Sequence, residues 1–195
     1  MPERPPARHA VVVLAAGLSR RLGRSKQLLR IDDESLVHRM TRIGLDTHPA
    51  DCVVVCARVP DAVSAAVADL ACRCVPCSDA QTGLSASLRC GLRALPAHCD
   101  AALVLLTDQP GLDRAHLHAL LEAWRSDPRR AAASGYAGQP GVPAILPRAW
   151  FAELMQLRGD IGAREMLRAR RAEVSVVAAA RLEHDIDRPA DLPDP

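Results

Sequence analysis

The chain has 195 residues, of which 49% are hydrophobic and 25% are charged, as is usual for a folded globular domain. This composition excludes a disordered, collagen-like or coiled-coil protein. The 25 basic and 23 acidic side chains leave a net charge of only +2, and aromatic residues make up 2% of the chain, so we expect no nucleic-acid partner.

Apolar runs of strand length alternate along the chain with segments whose apolar residues recur at helical spacing. Strands are predicted at 11–14, 52–56, 72–75, 101–106, 131–134, 142–146 and 174–177. Helices are predicted near 36–43, 63–70, 84–92, 117–124, 150–157 and 161–168. Asp61 and Asp113 are the expected N-caps of the second and fourth helices. Repeated β-α-β units predict an α/β fold of three layers, in which helices cover both faces of a Rossmann-like sheet.

A single domain of residues 1–195 is predicted, with two functional halves. Strands and helices alternate regularly as far as residue 127, which indicates a nucleotide-binding half at about 9–127. After Pro128, glycines and prolines separate the strands. This change in residue pattern indicates an acceptor-binding half at about 128–190 that continues the same sheet.

No segment near the start of the chain predicts export or a membrane span. The longest unbroken apolar run there, Ala10 to Ala16, is far shorter than the roughly 20 residues that cross a bilayer. The seven cysteines are an odd number and indicate free thiols, so we expect a cytoplasmic protein. Cys72, Cys74 and Cys77 have no fourth ligand at zinc-finger spacing, so we expect them to be buried as small apolar side chains.

The loop after the first strand carries the strongest local signal for a ligand. Its two glycines, Gly17 and Gly23, let the backbone turn its N–H groups toward an anion. Four cations also lie there within seven residues, namely Arg20, Arg21, Arg24 and Lys26. Cations in a glycine-bearing loop at the carboxyl end of a strand predict a triphosphate site. The glycine spacing matches neither the dinucleotide-binding fingerprint nor the P-loop, so those two folds are disfavoured.

Six motifs, in order over residues 10–190, resemble those of the nucleotidyltransferases related to molybdenum cofactor maturation. The first runs from Leu14 to Lys26 as Leu-Ala-Ala-Gly-x-Ser-x-Arg-x-Gly-x-x-Lys. The others begin at Gly83, Leu106, Gly141, Gly159 and Asp185. The Asp-Gln-Pro at 108–110 and the Gly-Asp-x-Gly-Ala-Arg at 159–164 most resemble the cytidylyltransferase branch of that family.

The resemblance implies the nucleotidyltransferase fold, with a mostly parallel mixed sheet, and the transfer of CMP from CTP to molybdenum-loaded molybdopterin. The products would be molybdopterin cytosine dinucleotide and pyrophosphate. Such a transfer depends mainly on alignment and charge neutralisation, so Lys26 would act at the α-phosphate and Arg21 at the leaving pyrophosphate. Asp108 would bind Mg²⁺, or Mn²⁺ in its place, with Asp187 as a second ligand for which Asp185 is the alternative.

The nucleotide-binding residues that the resemblance implies lie in the first loop and in the segment 83–88. They are Leu14, Ala15, Ala16, Gly17, Ser19, Arg21, Gly23, Lys26, Gly83, Ser85 and Ser87. The methyl group of Ala16 takes space that a purine base would need, which favours CTP. Ser85 and Ser87 would hydrogen-bond the base, or alternatively cap the helix that follows.

The acceptor-binding residues that the resemblance implies lie in the second half of the chain. They are Gly141, Pro143, Asp160, Gly162 and Arg164. Asp160 would hydrogen-bond a nitrogen of the pterin ring, or alternatively cap the helix predicted at 161–168.

Three other functions stay open. Two of them are enzymatic: the same reaction with GTP, and nucleotidyl transfer to a sugar or alditol phosphate. The third is a non-catalytic nucleotide-binding carrier of the cofactor, which the presence of Lys26 and Asp108 disfavours. The resemblance also implies a protein partner, either a molybdenum hydroxylase apoenzyme or its maturation chaperone.

Overall fold

A seven-stranded sheet forms the middle layer of the structure, a computed structural model that describes residues 7–17 and 25–182. The strands are β1 (His9–Leu14), β2 (Arg30–Ile31), β3 (Glu34–Ser35), β4 (Cys52–Cys56), β5 (Arg73–Pro76), β6 (Ala101–Leu106), β7 (Ala131–Tyr136), β8 (Gln139–Pro147) and β9 (Val174–Ala178). The helices are α1 (Leu36–Leu45), α2 (Ala62–Ala65), α3 (Leu84–Ala94), α4 (Arg114–Ser126), α5 (Phe151–Leu154) and α6 (Ala163–Ala169). Strands β2 and β3 pair with each other in a separate hairpin.

The order of strands across the sheet is β5-β4-β1-β6-β8-β7-β9. Strand β8 runs antiparallel to both of its neighbours, whereas every other pair in this sheet is parallel. The predicted three-layer fold with a mostly parallel mixed sheet is therefore confirmed.

The central strands form from continuous β-branched and leucine-rich runs, as expected for strands that are covered on both faces. Every residue of β1 and β4 is buried. In register, Val11 of β1 lies between Cys52 of β4 and Leu103 of β6. This register places the carboxyl ends of β1 and β6 side by side.

Each face of the sheet buries its own apolar cluster beneath a helical layer. On one face α1, α2 and α4 contribute residues such as Met40, Val63 and Trp124. On the other face α3, α5 and α6 contribute residues such as Leu88 and Leu167. Within the part of the chain that the structure describes, no helix is long and apolar enough to cross a membrane.

The shorter helices differ most from the prediction. Helix α2 does begin after Asp61, which caps it, but it ends at Ala65. The chain continues with bonds from residue i to i−3, such as Ala68 N–H to the Ala65 carbonyl at 3.3 Å, so the predicted span to residue 70 is too long. Helix α6 begins at Ala163 rather than 161, because Gly162 is its N-cap and the Gly162 N–H donates to Glu165 Oε2 at 3.1 Å.

Candidate active site

The candidate site lies at the edge of the sheet where β1 and β6 end. Parallel strands that are neighbours in a sheet bring the loops at their carboxyl ends together, the usual place for a ligand in this class of fold. Gly17 follows β1, and Asp108 follows β6. Lys26 begins a short 3₁₀ helix, Lys26–Leu28, that leads back toward the hairpin.

Lys26 and Asp108 form an ion pair at this edge, with Lys26 Nζ 3.2 Å from Asp108 Oδ2. The Lys26 side chain is 12% exposed and the Asp108 side chain 26%, so solvent screens the pair only in part. The second oxygen, Asp108 Oδ1, is buried and has no hydrogen-bond partner among the described residues. A buried carboxylate oxygen in this state fits a hard cation such as Mg²⁺ or Mn²⁺, which binds through oxygen.

Gln27 holds the two described ends of the first loop together. Its Nε2 donates to the Gly17 carbonyl at 2.6 Å, while the Ser25 hydroxyl donates to its Oε1 at 2.7 Å. Because Gln27 is next to Lys26 and buried, these bonds fix the backbone that carries the lysine. Gln27 is not among the site residues predicted from the sequence, where its position beside Lys26 at the end of the first motif is the only signal for it.

The segment that begins at Gly83 packs directly on the second glycine-rich segment. Gly83 has φ +123°, and a Cβ there would lie 2.3 Å from the carbonyl carbon and oxygen of Gly159. The Ser85 N–H donates to that same carbonyl oxygen at 3.2 Å. A Cβ on Gly162 would likewise lie 2.7 Å from Leu84 Cδ2. The predicted nucleotide-binding and acceptor-binding segments are therefore in contact through their backbones.

The two serines of this segment are buried within the first turn of α3. Neither caps the helix, because Gly83 is the N-cap and no side chain bonds there. Arg89 Nη1 donates to the Ser85 hydroxyl at 3.1 Å. The capping alternative is therefore wrong for both Ser85 and Ser87.

A polar chain runs along the start of β8. Gln109 Nε2 donates to the Val142 carbonyl at 2.9 Å, and the Tyr136 hydroxyl donates to the same carbonyl at 2.8 Å. Arg164 Nη2 donates to the Tyr136 oxygen at 3.1 Å, and its guanidinium lies 5.7 Å from the ring centroid. Gln109 Oε1 is buried without a partner among the described residues. This chain links the end of β6 to α6.

Gly141 and Pro143 frame this chain. A Cβ on Gly141 would lie 2.6 Å from the Tyr136 hydroxyl oxygen, so the glycine makes room for the tyrosine. The peptide between Val142 and Pro143 is cis, and the Pro143 carbonyl accepts from the Ser134 hydroxyl at 2.8 Å. Tyr136 is not among the site residues predicted from the sequence. The signal for it there is that it is the single tyrosine of the chain and lies close to Gly135 and Gly138.

The structure brings together many of the predicted site residues, but not all of them. Ser19, Arg21, Gly23 and Asp187 lie outside the described residues. Ala16 is buried, with its methyl group in the apolar cluster beneath α3, and Ala15 is buried on the opposite face. Asp160 is exposed, and the capping role considered for it is wrong because Gly162 takes that position.

Three of the cysteine thiols lie in surroundings that disfavour their ionised form. Burial raises the pKa of Cys52 to about 12, of Cys72 to about 11 and of Cys77 to about 12. These thiols are therefore protonated at neutral pH and are poor nucleophiles.

Comparison with known proteins places this arrangement in a family. Residues 11–174 match the MobA-like NTP transferase domain. The purine catabolism protein PucB of Bacillus subtilis (strain 168) is 30% identical over 186 residues, which cover 90% of this chain and 88% of PucB. The crystal structure of Rv0371c from Mycobacterium tuberculosis H37Rv has a TM-score of 0.82 and 27% identity, covering 95% of this chain and 96% of that one.

A second structure of Rv0371c, in complex with manganese, has a TM-score of 0.78 and 25% identity, with 95% of this chain and 96% of that chain covered. By its domain match and its fold, the chain belongs to the nucleotidyltransferases that carry a MobA-like NTP transferase domain.

Proposed function

We propose that this nucleotidyltransferase transfers CMP from CTP to the phosphate of molybdenum-loaded molybdopterin. A phosphate oxygen of the acceptor forms a new bond to the α-phosphorus of CTP. The bond from that phosphorus to the oxygen bridging to the β-phosphorus breaks, and pyrophosphate leaves with the bonding electron pair. The observation that carries this chemistry is the Lys26–Asp108 pair, with its second carboxylate oxygen unpartnered among the described residues.

Lys26 and Asp108 have complementary roles in this proposal. Lys26 donates to the phosphate oxygens and neutralises the charge that develops at the α-phosphorus. Asp108 positions Lys26 through Oδ2 and presents Oδ1 as a ligand for Mg²⁺. A bound Mg²⁺ would neutralise part of the triphosphate charge. The backbone of the first loop and Arg21 would hold the leaving pyrophosphate, and Asp187 would be a second ligand.

The preference for CTP rests on the nucleotide-binding half, about 9–127. The backbone that follows β1 is close-packed, because Ala15 and Ala16 are 2% and 1% exposed. The base would therefore be recognised here by backbone groups, including those of Gly83 and Gly159 where the two segments are in contact. The Asp-Gln-Pro sequence at 108–110, which resembles the cytidylyltransferase branch, supports CTP over GTP.

The acceptor is assigned to the half at about 128–190. Arg164 and Tyr136 of this half provide a cation and an aromatic face, and Tyr136 is hydrogen-bonded to Gln109, which lies just beyond β6 and adds a buried amide oxygen. A phosphate that is joined to a hydrogen-bonding heterocycle, such as a pterin, matches a cation beside ring-binding groups. The motif similarity in this half supports molybdopterin over a sugar or alditol phosphate.

The test is pyrophosphate release from the purified protein with Mg²⁺ and molybdenum-loaded pterin cofactor, with CTP, GTP, ATP and UTP supplied separately. We expect release with CTP alone. Release with GTP alone would keep the chemistry and overturn the base assignment. If none of the four nucleotides gave pyrophosphate release, although the protein still bound CTP, the acceptor assignment would be overturned or the protein would be a carrier.

A further inference from the structure

Two cysteines and an aspartate meet on the α3 side of the sheet, away from the Lys26–Asp108 pair. Cys77 directly follows β5, Asp79 precedes a short 3₁₀ helix, and Cys90 lies on α3. The two Sγ atoms are 2.8 Å apart, and Asp79 Oδ1 lies 3.5 Å from Cys77 Sγ and 4.0 Å from Cys90 Sγ. One ligand atom from each residue thus lies within 4.8 Å of the others.

This donor set differs in chemistry from Asp108. Thiolates are soft ligands that select cations such as Zn²⁺, whereas Mg²⁺ prefers oxygen. In a tetrahedral zinc centre, Zn–S bonds of about 2.3 Å and Zn–O bonds of about 2.1 Å separate the ligand atoms by roughly 3.5 to 3.8 Å. The two sulfur–oxygen distances are close to this range, and the sulfur atoms would have to separate by about 1 Å.

The geometry points to a binding site for one thiophilic divalent cation, of which Zn²⁺ is the representative, held by Cys77, Asp79 and Cys90. The Asp79 side chain is 51% exposed, so a water molecule can complete the fourth position from the solvent side. Binding exchanges two thiol protons for the cation and leaves two thiolates and one carboxylate on it. No electron transfer is involved.

Asp79 also links this cluster to the first turn of α3. Its other oxygen, Oδ2, lies 3.8 Å from Arg89 Nη2, and Arg89 Nη1 donates to the Ser85 hydroxyl. A cation on Oδ1 would weaken the attraction between Asp79 and Arg89 and so alter the group that faces Ser85. An effect on nucleotide affinity rests on the proposed function, whereas the binding of the cation itself does not.

The cation site is tested with the full chain, reduced and freed of metal, by competition for Zn²⁺ with a chromogenic chelator in the absence of nucleotide. We expect one Zn²⁺ per chain with release of up to two protons, and no competition from excess Mg²⁺. Cys90→Ser should lower the affinity by more than about 100-fold, because it removes a direct ligand. Asp79→Asn should lower it by a smaller factor.

Cys72→Ser is the matched control, because Cys72 is also half-buried but contacts the apolar cluster on the opposite face. It should bind Zn²⁺ as the wild type does. No stoichiometric zinc in the folded wild type, or equal affinity in Cys90→Ser, would overturn the site. If a small-molecule disulfide oxidised Cys77 and Cys90 to a disulfide, and the reduced protein bound no zinc, the cation site would be overturned in favour of a redox pair.

Discussion

At the residue scale, Asp108 has two separate tasks, one for each oxygen. Replacing it with asparagine keeps its size but removes the charge that attracts Lys26 and a cation. We expect Asp108→Asn to lower turnover by about 10²-fold or more, the usual loss for one preorganised electrostatic group. Pyrophosphate release at saturating Mg²⁺ and CTP measures it.

The matched control for Asp108 is Asp127→Asn. Asp127 lies at the end of α4, where it pairs with Arg129 away from the site. That variant should keep the wild-type rate, and both variants should unfold at the same urea concentration to within the error. A near wild-type rate in Asp108→Asn would remove Asp108 from the mechanism.

Tyr136 joins three groups from separate parts of the chain through one hydroxyl. Tyr136→Phe keeps the ring but loses the bonds to Val142, Arg164 and Gln109. At about 1 kcal/mol for one net hydrogen bond, we expect kcat/KM for the acceptor to fall roughly 5-fold to 10-fold, with the KM for CTP unchanged. Steady-state rates with each substrate varied in turn will show this. A larger change in the KM for CTP would place Tyr136 on the nucleotide side.

At the scale of elements, two glycine-rich segments are in close contact, because the Gly83 backbone packs against Gly159. Gly83 has φ +123° and ψ 175°, a region open essentially to glycine alone, and an added Cβ would collide with Gly159. Gly138 also has a positive φ, +71°, but none of the described residues lies within 4 Å of its Cβ position. Alanine at Gly83 therefore meets a collision and a backbone region that excludes it, whereas alanine at Gly138 meets only the milder strain of a left-handed φ.

We expect Gly83→Ala to lower the free energy of unfolding by about 1–3 kcal/mol more than Gly138→Ala does, because the first adds a collision and the greater backbone strain. Urea unfolding of both variants measures this difference. Gly83→Ala should also lose nucleotidyl transfer, and Gly138→Ala should retain it. If both variants lost the same free energy of unfolding, the segments of Gly83 and Gly159 would be able to move apart without an energetic cost.

The sequence predicts the elements that depend on local pattern and misses the contacts that depend on strand order. Residues 52–56 and 101–106 are strands as predicted, since each is an unbroken apolar run. The N-terminus of α6 is set by a single bond from Gly162 to Glu165, which periodicity does not detect. Tyr136 and Gln109 meet only because β8 lies antiparallel between β6 and β7, and no local signal predicts that position.

At the scale of the whole molecule, strand β8 brings the two halves of the chain to one edge. Being antiparallel, it begins near the carboxyl end of β6, where Gln109 Nε2 donates to the Val142 carbonyl. A parallel strand in the same position would present its carboxyl end there instead. One continuous sheet thus positions the Lys26–Asp108 pair and the Tyr136–Arg164 pair. A loss of stability in that sheet would disturb both pairs.

That stability should depend on pH through His9, the first residue of β1. His9 is 2% exposed, and its Nε2 lies 2.8 Å from the Thr47 hydroxyl, which itself donates to the Gly44 carbonyl. The His9 Nε2–H is therefore the donor in this bond. Burial lowers the pKa of His9 from 6.5 to about 4. Between these two pH values the unfolded state therefore binds a proton at His9 and the folded state does not.

The sign of the effect follows from these two pKa values. Above about pH 6.5 neither state binds the proton, so the contribution of neutral His9 to the free energy of unfolding is fully present. Between about pH 6.5 and about pH 4 only the unfolded state binds the proton, so the free energy of unfolding falls as the pH falls. From about pH 7 to about pH 5 this loss is about 2 kcal/mol. His116, with a lowered pKa, acts in the same direction, and His38, whose pKa is raised, acts in the opposite one.

His9→Gln isolates this contribution, since the glutamine amide can still donate to Thr47 but does not titrate. The other histidines are common to both proteins, so their effects cancel in the comparison. We expect urea unfolding to show that the wild type loses about 2 kcal/mol more than His9→Gln between about pH 7 and about pH 5. Equal losses in the two proteins would show that His9 keeps an ordinary pKa in the folded sheet, and that acid acts on stability through other groups.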